Sequence, residues 1–381
     1  MKVLLFANTD WYLFNFRRSL AVALRDAGHT VILLSPPGPY GERLRALGFR
    51  WEPAPMHRRS LNPVRELRLI LWLRSLVARE QVDLVHGFTI KCAVYGSLAA
   101  RLAGAPARVA AIAGLGYVFT NEGTMARVLR PLVSSLMRLA LGGSNSRLIL
   151  QNRDDAALFA GANLVRQEQV RLIAGSGVDC RRFAPSTAAL PRGRFRVLLA
   201  ARLLWDKGVS EYVEAARTLQ AKGYPIDFLL AGDPDQGNPS AVPEEDVRRW
   251  MADGLIEWLG HVDDMPALLH SVQAAVLPSY REGLPKGLIE AAACGLPLVT
   301  TDVPGCRQVV THEREGLLVP VRDPVALAGA IERLYLDQSL CSMLGDAARR
   351  RALAEFDEDL VVARTLDVYA ELLPGSVQSA A

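Results

Sequence analysis

The chain is poor in the residues that build disulfide frameworks, zinc sites and membrane spans. Its five cysteines are scattered, odd in number and never arranged as a CxxC pair. This excludes a disulfide or zinc framework and predicts reduced thiols in a cytosolic protein. No apolar run reaches the roughly 18 residues of a membrane span. Residues 1–6 pass directly into a strand pattern, so we expect no signal peptide.

Charge is distributed unevenly along the 381 residues. Residues 1–187 carry 25 Lys and Arg against 12 Asp and Glu, whereas the remainder carries 19 against 28. A basic first half predicts an anionic partner, either nucleic acid or an anionic membrane surface. Two Arg-rich apolar stretches, 64–74 and 125–139, favour the membrane, because few aromatic residues interleave to stack on bases. The same stretches also suit helices that pack on a sheet and show their arginines to water.

Short apolar runs alternate with helical patterns in two successive series. The runs are 3–6, 30–34, 82–85, 108–112, 148–150 and 170–173, then 195–200, 226–230, 256–259, 274–277, 297–300 and 316–319. This alternation predicts two α/β domains, each with a doubly wound parallel sheet covered on both faces. A Pro- and Ala-rich linker within 183–194 divides them into 1–187 and 188–354, and a helix follows at 355–373. We expect a ligand-binding cleft between the two domains.

Two carboxylates eight residues apart, Glu282 and Glu290, surround a predicted loop-to-helix junction. Pro285 suits the first turn of that helix, which places Glu290 two turns into it. The two acids can then flank one ligand about 10 Å long. The backbone amides of Gly283 and Leu284, at the helix start, suit an anion.

Two cations, Arg202 and Lys207, follow the apolar run 195–200. Ligands of α/β sheets bind at the carboxyl ends of strands, and an Arg and a Lys directed at one point suit a diphosphate. Each pair of charges alone is common in proteins. Their occurrence together in one domain is what predicts a site.

The set resembles the family-4 retaining glycosyltransferases of the GT-B architecture. The matching motifs span about 145 residues in the family's order. They are Gly175-Ser176-Gly177-Val178-Asp179, Ala201-Arg202 with Lys207-Gly208, Ala231-Gly232-Asp233, Gly260-His261-Val262, Glu282 through Glu290, Gly295-Leu296-Pro297 and Gly316-Leu317-Leu318-Val319. In the first half, His86 through Lys91, Gly114-Leu115-Gly116 and Gln151-Asn152-Arg153 resemble the branch that extends polyprenyl-diphosphate-linked saccharides in bacterial glycan assembly.

The resemblance implies a transferase that moves a hexose or N-acetylhexosamine from a UDP-sugar to a lipid-linked saccharide. Glu290 would bind the ribose, Glu282 would face the sugar, and Arg202 and Lys207 would hold the diphosphate and stabilise it as it leaves. The donor site would be completed by Gly232, His261, Val262, Gly283 and Leu284. No Asp-x-Asp motif follows a suitable strand, so the cations would replace a metal and no cofactor is expected. The last helix would cross back to the first domain.

The first half departs from the family pattern in two places. Many members have a His where this chain reads Ile112-Ala113-Gly114, and a paired glycine where it reads Asn8 through Asn15. His86, which follows run 82–85 and would face the cleft, is a catalytic candidate of this half, and a structural role for this lone His is the alternative. The candidate acceptor residues are Asp10, Asn15, Lys91, Gly114 and Gly116.

Several alternatives remain open from the sequence. The acceptor could be soluble or the donor a GDP-sugar. An epimerase of UDP-sugars would need several histidines in the cleft, and the chain has six in all. A non-catalytic sugar-nucleotide-binding protein would not need the full set of four charged residues. The leading hypothesis places the enzyme on the inner face of the cytoplasmic membrane, with its arginines against anionic lipid and no nucleic-acid partner.

Overall fold

A computed structural model describes residues 1–58, 60, 62–112, 124–186, 194–235 and 237–375, with the backbone alone at 124–130 and 132. The chain forms two compact units. The first comprises residues 1–177 and 358–381, and the second comprises residues 178–357. Both are α/β units built on a parallel sheet, as the alternating pattern predicts.

The first unit contains a seven-stranded parallel sheet with strand order β3-β2-β1-β4-β5-β6-β7. Its strands are β1 (Lys2–Phe6), β2 (Thr30–Ser35), β3 (Arg50–Pro53), β4 (Leu84–Phe88), β5 (Ala107–Ile112), β6 (Ser146–Leu150) and β7 (Val170–Leu172). Its helices are α1 (Asp10–Phe16), α2 (Arg18–Asp26), α3 (Gly41–Ala46), α4 (Pro63–Glu80), α5 (Ile90–Ala103), α6 (Thr124–Leu141) and α7 (Arg153–Gly161). The order reverses between β1 and β4, and such a switch point is where ligands of doubly wound sheets bind.

The second unit contains a six-stranded parallel sheet with strand order β10-β9-β8-β11-β12-β13. Its strands are β8 (Phe195–Ala200), β9 (Ile226–Ala231), β10 (Glu257–Gly260), β11 (Ala274–Leu277), β12 (Leu298–Thr301) and β13 (Gly316–Val319). Its helices are α8 (Val209–Ala221), α9 (Glu244–Ala252), α10 (Met265–Leu269), α11 (Lys286–Ala293), α12 (Pro304–Val309), α13 (Pro324–Leu336) and α14 (Gln338–Arg351). The switch point of this sheet lies between β8 and β11.

The strands form where the apolar runs predict them because both faces of each sheet are covered. All four residues of β11 are buried, as are Leu4 and Leu5 in β1. The exception is β3, which has no apolar run; its Trp51 alone is deeply buried and donates a hydrogen bond to Ser35 at 2.9 Å. No described helix has the length and apolarity needed to cross a bilayer.

The last helix, α15 (Glu358–Leu372), packs on the first unit and fills its core. Val361, Val368 and Tyr369 are buried there beside β1 and β5 residues. Glu371 pairs with Arg147 at 2.8 Å and with Arg171 at 2.6 Å, which ties the helix end to β6 and β7. The return of the C-terminal helix, which the family resemblance implies, is therefore present in the structure.

The compact units divide about ten residues earlier than the Pro-rich composition suggests. Phe183 is buried in the second unit, and Arg349 donates hydrogen bonds to the backbone oxygens of Cys180 and Phe183 at 3.0 and 2.9 Å. Residues 178–186 therefore belong to the second unit. The rest of the predicted linker, 187–193, lies outside the described residues.

Candidate active site

The switch point of the second sheet brings together the loops that follow β8 and β11. Gly208, at the end of the first loop, has a positive φ of 73°, and a Cβ there would lie 2.1 Å from the backbone oxygen of Pro278. Only glycine fits this close approach. It holds the cation-bearing segment 201–208 directly against the carboxylate-bearing segment 278–285.

Lys207 and Glu282 meet across these two loops. The Nζ of Lys207 donates to Oε1 of Glu282, and the hydroxyl of Ser279 donates to the same oxygen at 2.7 Å. The side chains of Lys207 and Glu282 are 20% and 10% exposed. The cluster is therefore a largely desolvated charge pair at the place where this fold binds ligands.

The backbone of Glu282 is fixed from its other side by α12. A Cβ on Gly305, in the first turn of that helix, would lie 2.4 Å from the backbone oxygen of Glu282. A side chain at this position would push the loop away. The glycine thus sets the position of the carboxylate relative to Lys207.

Glu290 lies in the second turn of α11, as its fifth residue. Burial raises the pKa of its carboxyl group, and Lys286 and Arg182 offset this only in part. The nearest cation is the Nζ of Lys286, 3.8 Å from Oε1. Its side chain is 16% exposed, and a partly accessible carboxylate with one long ion pair retains capacity to accept hydrogen bonds from hydroxyl groups.

The predicted start of this helix was slightly wrong. Pro285 is the residue before the first turn, and α11 begins at Lys286. Gly283 and Leu284 consequently belong to the preceding loop, so their amides are not those of the helix start. Glu290 lies one turn into the helix rather than two.

Arg202 stands apart from the Lys207 cluster. Its side chain is 59% exposed and donates to Asp235 at 2.8 Å. Gly232, which follows β9, approaches the backbone oxygen of Ala201 so closely that a Cβ would lie 1.9 Å from it. This approach aligns the loops after β8 and β9.

The remaining predicted donor residues follow β10. His261 is exposed, and its Nε2 lies 3.4 Å from the carboxylate of Asp263. Val262 is half-buried beside it. The amide of Gly232 donates to the backbone oxygen of Gly260 at 2.7 Å, which places His261 and Val262 near the glycine loop after β9.

Sequence reasoning missed the residues that hold the charged groups in place. Ser279 donates a hydrogen bond to Glu282, and Asp235 accepts one from Arg202. Lys286 forms an ion pair with Glu290. Ser279 is three residues from Glu282 and could have been noticed in the same loop. Asp235 is 33 residues from Arg202, and no local pattern links the two.

His86 does not lie where the sequence predicts it. It is the third residue of β4 rather than a residue beyond the strand's carboxyl end, and it is 1% exposed. The strand begins two residues later than the apolar run, since Asp83 instead accepts a hydrogen bond from the amide of Lys2 at 2.6 Å. The Nδ1 atom of His86 lies 2.6 Å from the hydroxyl of Tyr369 on α15. Burial, and then the charge of Arg17, lower the pKa of His86 well below its usual range.

The other candidates of the first unit are engaged in local structure. Lys91 forms an ion pair with Glu66 at 2.8 Å. Asp10 is buried and accepts hydrogen bonds from the amides of Tyr40 and Gly41 at 2.7 and 2.9 Å. Asn15 donates to the backbone oxygen of Trp11 at 3.0 Å. Gly114 and Gly116 lie outside the described residues.

Two doubly wound parallel sheets, with a charge cluster at the switch point of the second and a C-terminal helix returning to the first, define a GT-B glycosyltransferase architecture. A model of "Glycosyl transferase 4-like" proteins matches residues 2–152, and a model of "Glycosyl transferases group 1" matches residues 194–337. The chain belongs to the family-4 glycosyltransferases, which confirms the resemblance seen in its motifs, and it is a sugar-transferring enzyme.

Two curated relatives align along most of the chain. One is the N,N'-diacetylbacillosaminyl-diphospho-undecaprenol alpha-1,3-N-acetylgalactosaminyltransferase of Campylobacter jejuni, 29% identical over 95% of this chain and 96% of the relative. The other is the UDP-Gal:alpha-D-GlcNAc-diphosphoundecaprenol alpha-1,3-galactosyltransferase of Escherichia coli, 24% identical over 83% of this chain and 82% of the relative.

Solved structures share the fold along the whole chain. A glycosyltransferase from Rickettsia africae superposes with a TM-score of 0.82 at 20% identity, covering 98% of this chain and 99% of that one. HepE from Anabaena, solved in complex with UDP, superposes with a TM-score of 0.78 at 19% identity, covering 97% of this chain and 100% of that one.

Proposed function

We propose that this enzyme transfers a hexose or an N-acetylhexosamine from a UDP-sugar to a polyprenyl-diphosphate-linked saccharide, retaining the anomeric configuration. The observation that carries the proposal is the Lys207–Glu282–Ser279 cluster at the switch point of the second sheet, with the largely buried carboxylate of Glu290, 16% exposed, on the following helix. A cation and two acids at this place suit the diphosphate, sugar and ribose of a nucleotide-sugar.

The choice of UDP as the nucleotide is supported by two of the similar proteins. The Escherichia coli relative is named as a UDP-Gal-dependent enzyme, and HepE was solved with UDP. In our proposal Glu290 accepts hydrogen bonds from the two ribose hydroxyls. Glu282 accepts from the transferred sugar, and Lys207 contacts the diphosphate.

The proposed chemical step replaces the diphosphate on the anomeric carbon with the acceptor oxygen. The bond between the anomeric carbon and the diphosphate oxygen breaks. A bond from the acceptor hydroxyl oxygen to that carbon forms on the same face, and the hydroxyl proton passes to the departing diphosphate. Lys207 and Arg202 stabilise the negative charge that grows on the leaving group, the role that a metal ion has in other transferases.

The proposed acceptor is a saccharide on a polyprenyl diphosphate, which both curated relatives name as undecaprenol-linked. Such an acceptor lies in a membrane, and α4 has a surface suited to one. Val64, Leu67 and Leu71 are 56%, 58% and 48% exposed and share one helix face at spacings of three and four. Arg65 and Arg68 are exposed beside them. We call these five residues the α4 surface and propose that it contacts the inner face of the cytoplasmic membrane.

A thermal-shift panel of nucleotides tests the donor. UDP or a UDP-sugar at about 100 times its dissociation constant should contribute ~2.7 kcal/mol to stability and raise the melting temperature by several degrees. The shift should persist in a chelator, since the cations take the place of a metal. A larger shift with GDP-sugars would identify a GDP-sugar as the donor. No shift with any nucleotide would show that the proposed donor site does not bind nucleotides.

A further inference from the structure

A small cavity lies at the switch point of the first sheet, and all of its lining residues belong to the first unit. It is lined by Tyr12, Arg17, His86, Gln151, Gly175 and Thr365, among others. These residues come from α1, β4, α15 and the segments that follow α1, β6 and β7. The space is sufficient for about one water-sized group.

Arg17 is a buried cation without an acidic partner in the part of the chain that the structure describes. It is 6% exposed. It donates to the hydroxyl of Tyr12 at 3.0 Å and to the backbone oxygen of Gly175 at 3.3 Å, and its guanidinium lies 4.3 Å from the ring centre of Phe88. Its Nε has no hydrogen-bond partner among the described residues. Buried charges are normally paired, so a guanidinium whose described neighbours are neutral suits an anionic ligand.

His86 adds a second unpartnered nitrogen to the same cavity. Its Nδ1 contacts the hydroxyl of Tyr369, whereas its Nε2 is buried and none of the residues that the structure describes bonds to it. The hydroxyl of Tyr369 is itself buried, so its proton is satisfied by donation to Nδ1. The neutral ring then carries its own proton on Nε2. The cavity is therefore lined by two side chains whose unpartnered atoms are both N–H donors.

We propose that this cavity binds one oxygen of a phosphoryl group, held by Arg17 and His86. Arg17 is permanently charged, and an oxyanion neutralises a buried guanidinium, whereas a water molecule leaves that charge unpaired. The cavity admits a single oxygen, so the rest of the group lies outside it. The basic charge balance of residues 1–187 favours the same ligand class.

The phosphoryl oxygen could come from the diphosphate of a lipid-linked acceptor or from a free inorganic anion. The first source rests on the proposed function, and we commit to it. The site itself depends only on the geometry of the first unit. The two sources are separable by comparing a prenyl diphosphate with inorganic pyrophosphate.

The test is calorimetric titration of the full-length protein and two variants with geranylgeranyl diphosphate and with pyrophosphate. Excess UDP is present so that Lys207 and Arg202 are occupied. Arg17→Met removes the charge at similar volume, and Arg18→Met is the matched control, because Arg18 is the adjacent but exposed arginine. Arg17→Met should weaken binding roughly tenfold to a hundredfold, as expected for the loss of a charge-assisted hydrogen bond. Arg18→Met should bind like the wild type.

A second measurement separates a ligand-binding role of Arg17 from a structural one. In anion-free buffer Arg17→Met should melt at or above the wild-type temperature, since an unpaired buried charge has been removed. Should this variant not fold, Arg17→Lys replaces it and should bind the probes several-fold more weakly than the wild type.

The outcomes test separately the anion site, the source of the phosphoryl oxygen and the donor site. Binding of both probes to the Arg17 variants with wild-type affinity would overturn the proposal. Equal affinity of the wild type for pyrophosphate and the prenyl diphosphate would support the anion site but reject a lipid-linked source. UDP titration of the same proteins is run first, so a failure of the donor site appears there and not in the Arg17 comparison.

Discussion

At the scale of single residues, Lys207 and Glu282 are the pair on which turnover should depend most. Lys207→Met and Glu282→Gln should each reduce kcat by a factor of about 100 or more, because each removes charge stabilisation that matters chiefly in the transition state. Steady-state transfer to a lipid-linked acceptor measures this.

The matched control is the pair Lys222–Glu332 in the same unit, which lies at 2.7 Å and whose side chains are 48% and 20% exposed. Lys222→Met and Glu332→Gln should leave turnover unchanged. The double variant Lys207→Met with Glu282→Gln should be more stable than the two single losses predict, since neither charge is left alone. Near-normal kcat in either single variant would remove that residue from the mechanism.

Replacing Glu290 with Gln should lower the affinity for UDP without lowering the stability of the fold at neutral pH. Burial raises its folded pKa, so its contribution to stability is present below the unfolded pKa and is lost as pH rises through the folded value. At neutral pH Glu290→Gln should therefore be at least as stable as the wild type. Its UDP affinity should fall by roughly tenfold or more, because a charged acceptor has been lost.

Melting curves from pH 4 to 8 and UDP titrations check both parts. The stability difference between Glu290→Gln and the wild type should shrink as the pH falls. Glu214→Gln on α8, where the glutamate is 53% exposed, is the control and should change neither property. A variant that binds UDP normally would show that Glu290 does not contact the ribose.

What the sequence reveals at this scale depends on whether a residue's role is local. Lys207, Glu282 and Glu290 stand in recognisable motifs, so their types and spacings could be identified. Arg17 could not, because its significance lies in the acids that are missing around it in the folded unit. His86 was misplaced because β4 continues to Phe88, beyond the predicted end at Val85, so a residue expected past the strand lies within it and is buried.

At the scale of secondary-structure elements, the α4 surface should determine membrane binding. Arg65→Glu with Arg68→Glu should reduce binding to anionic vesicles, since each Arg near such a surface is worth about 1 kcal/mol and salt screens it. Leu67→Ser with Leu71→Ser should reduce binding at all salt concentrations, because it removes apolar area. Flotation with vesicles of graded anionic lipid content measures both.

Arg217→Glu with Arg248→Glu, on α8 and α9 of the second unit, introduces the same charge change elsewhere and should leave flotation intact. UDP binding should be normal in all these variants. If flotation does not depend on lipid charge, on salt or on the α4 substitutions, α4 is an ordinary surface helix. The arginines predicted on α6, Arg127 and Arg130, lie where only the backbone is described.

The elements themselves were largely predictable, because their apolar runs reflect burial on both faces of a parallel sheet. The short β3 was not, since Arg50–Pro53 has only one deeply buried residue and its pairing with β2 is set by the rest of the unit. The start of α11 was displaced by one residue, which is the usual precision for a helix terminus.

At the scale of the whole molecule, the two-unit organisation follows from the repeated alternation, but the division does not. Composition marks a Pro-rich segment, whereas the boundary depends on which unit buries Cys180 and Phe183. Arg349 holds both residues in the second unit by donating hydrogen bonds to their backbone oxygens. It is about 170 residues away in the sequence, so no local pattern could predict these contacts.

The return of α15 to the first unit has a consequence for the order in which the protein can be completed. During synthesis, residues 178–357 emerge as one continuous segment that contains the whole of the second unit. The first unit, although made earlier, must wait for the final segment of chain before Val361, Val368 and Tyr369 can cover its sheet and before His86 gains its hydrogen-bond partner. The older half of the nascent protein is thus the last to acquire all of its core residues.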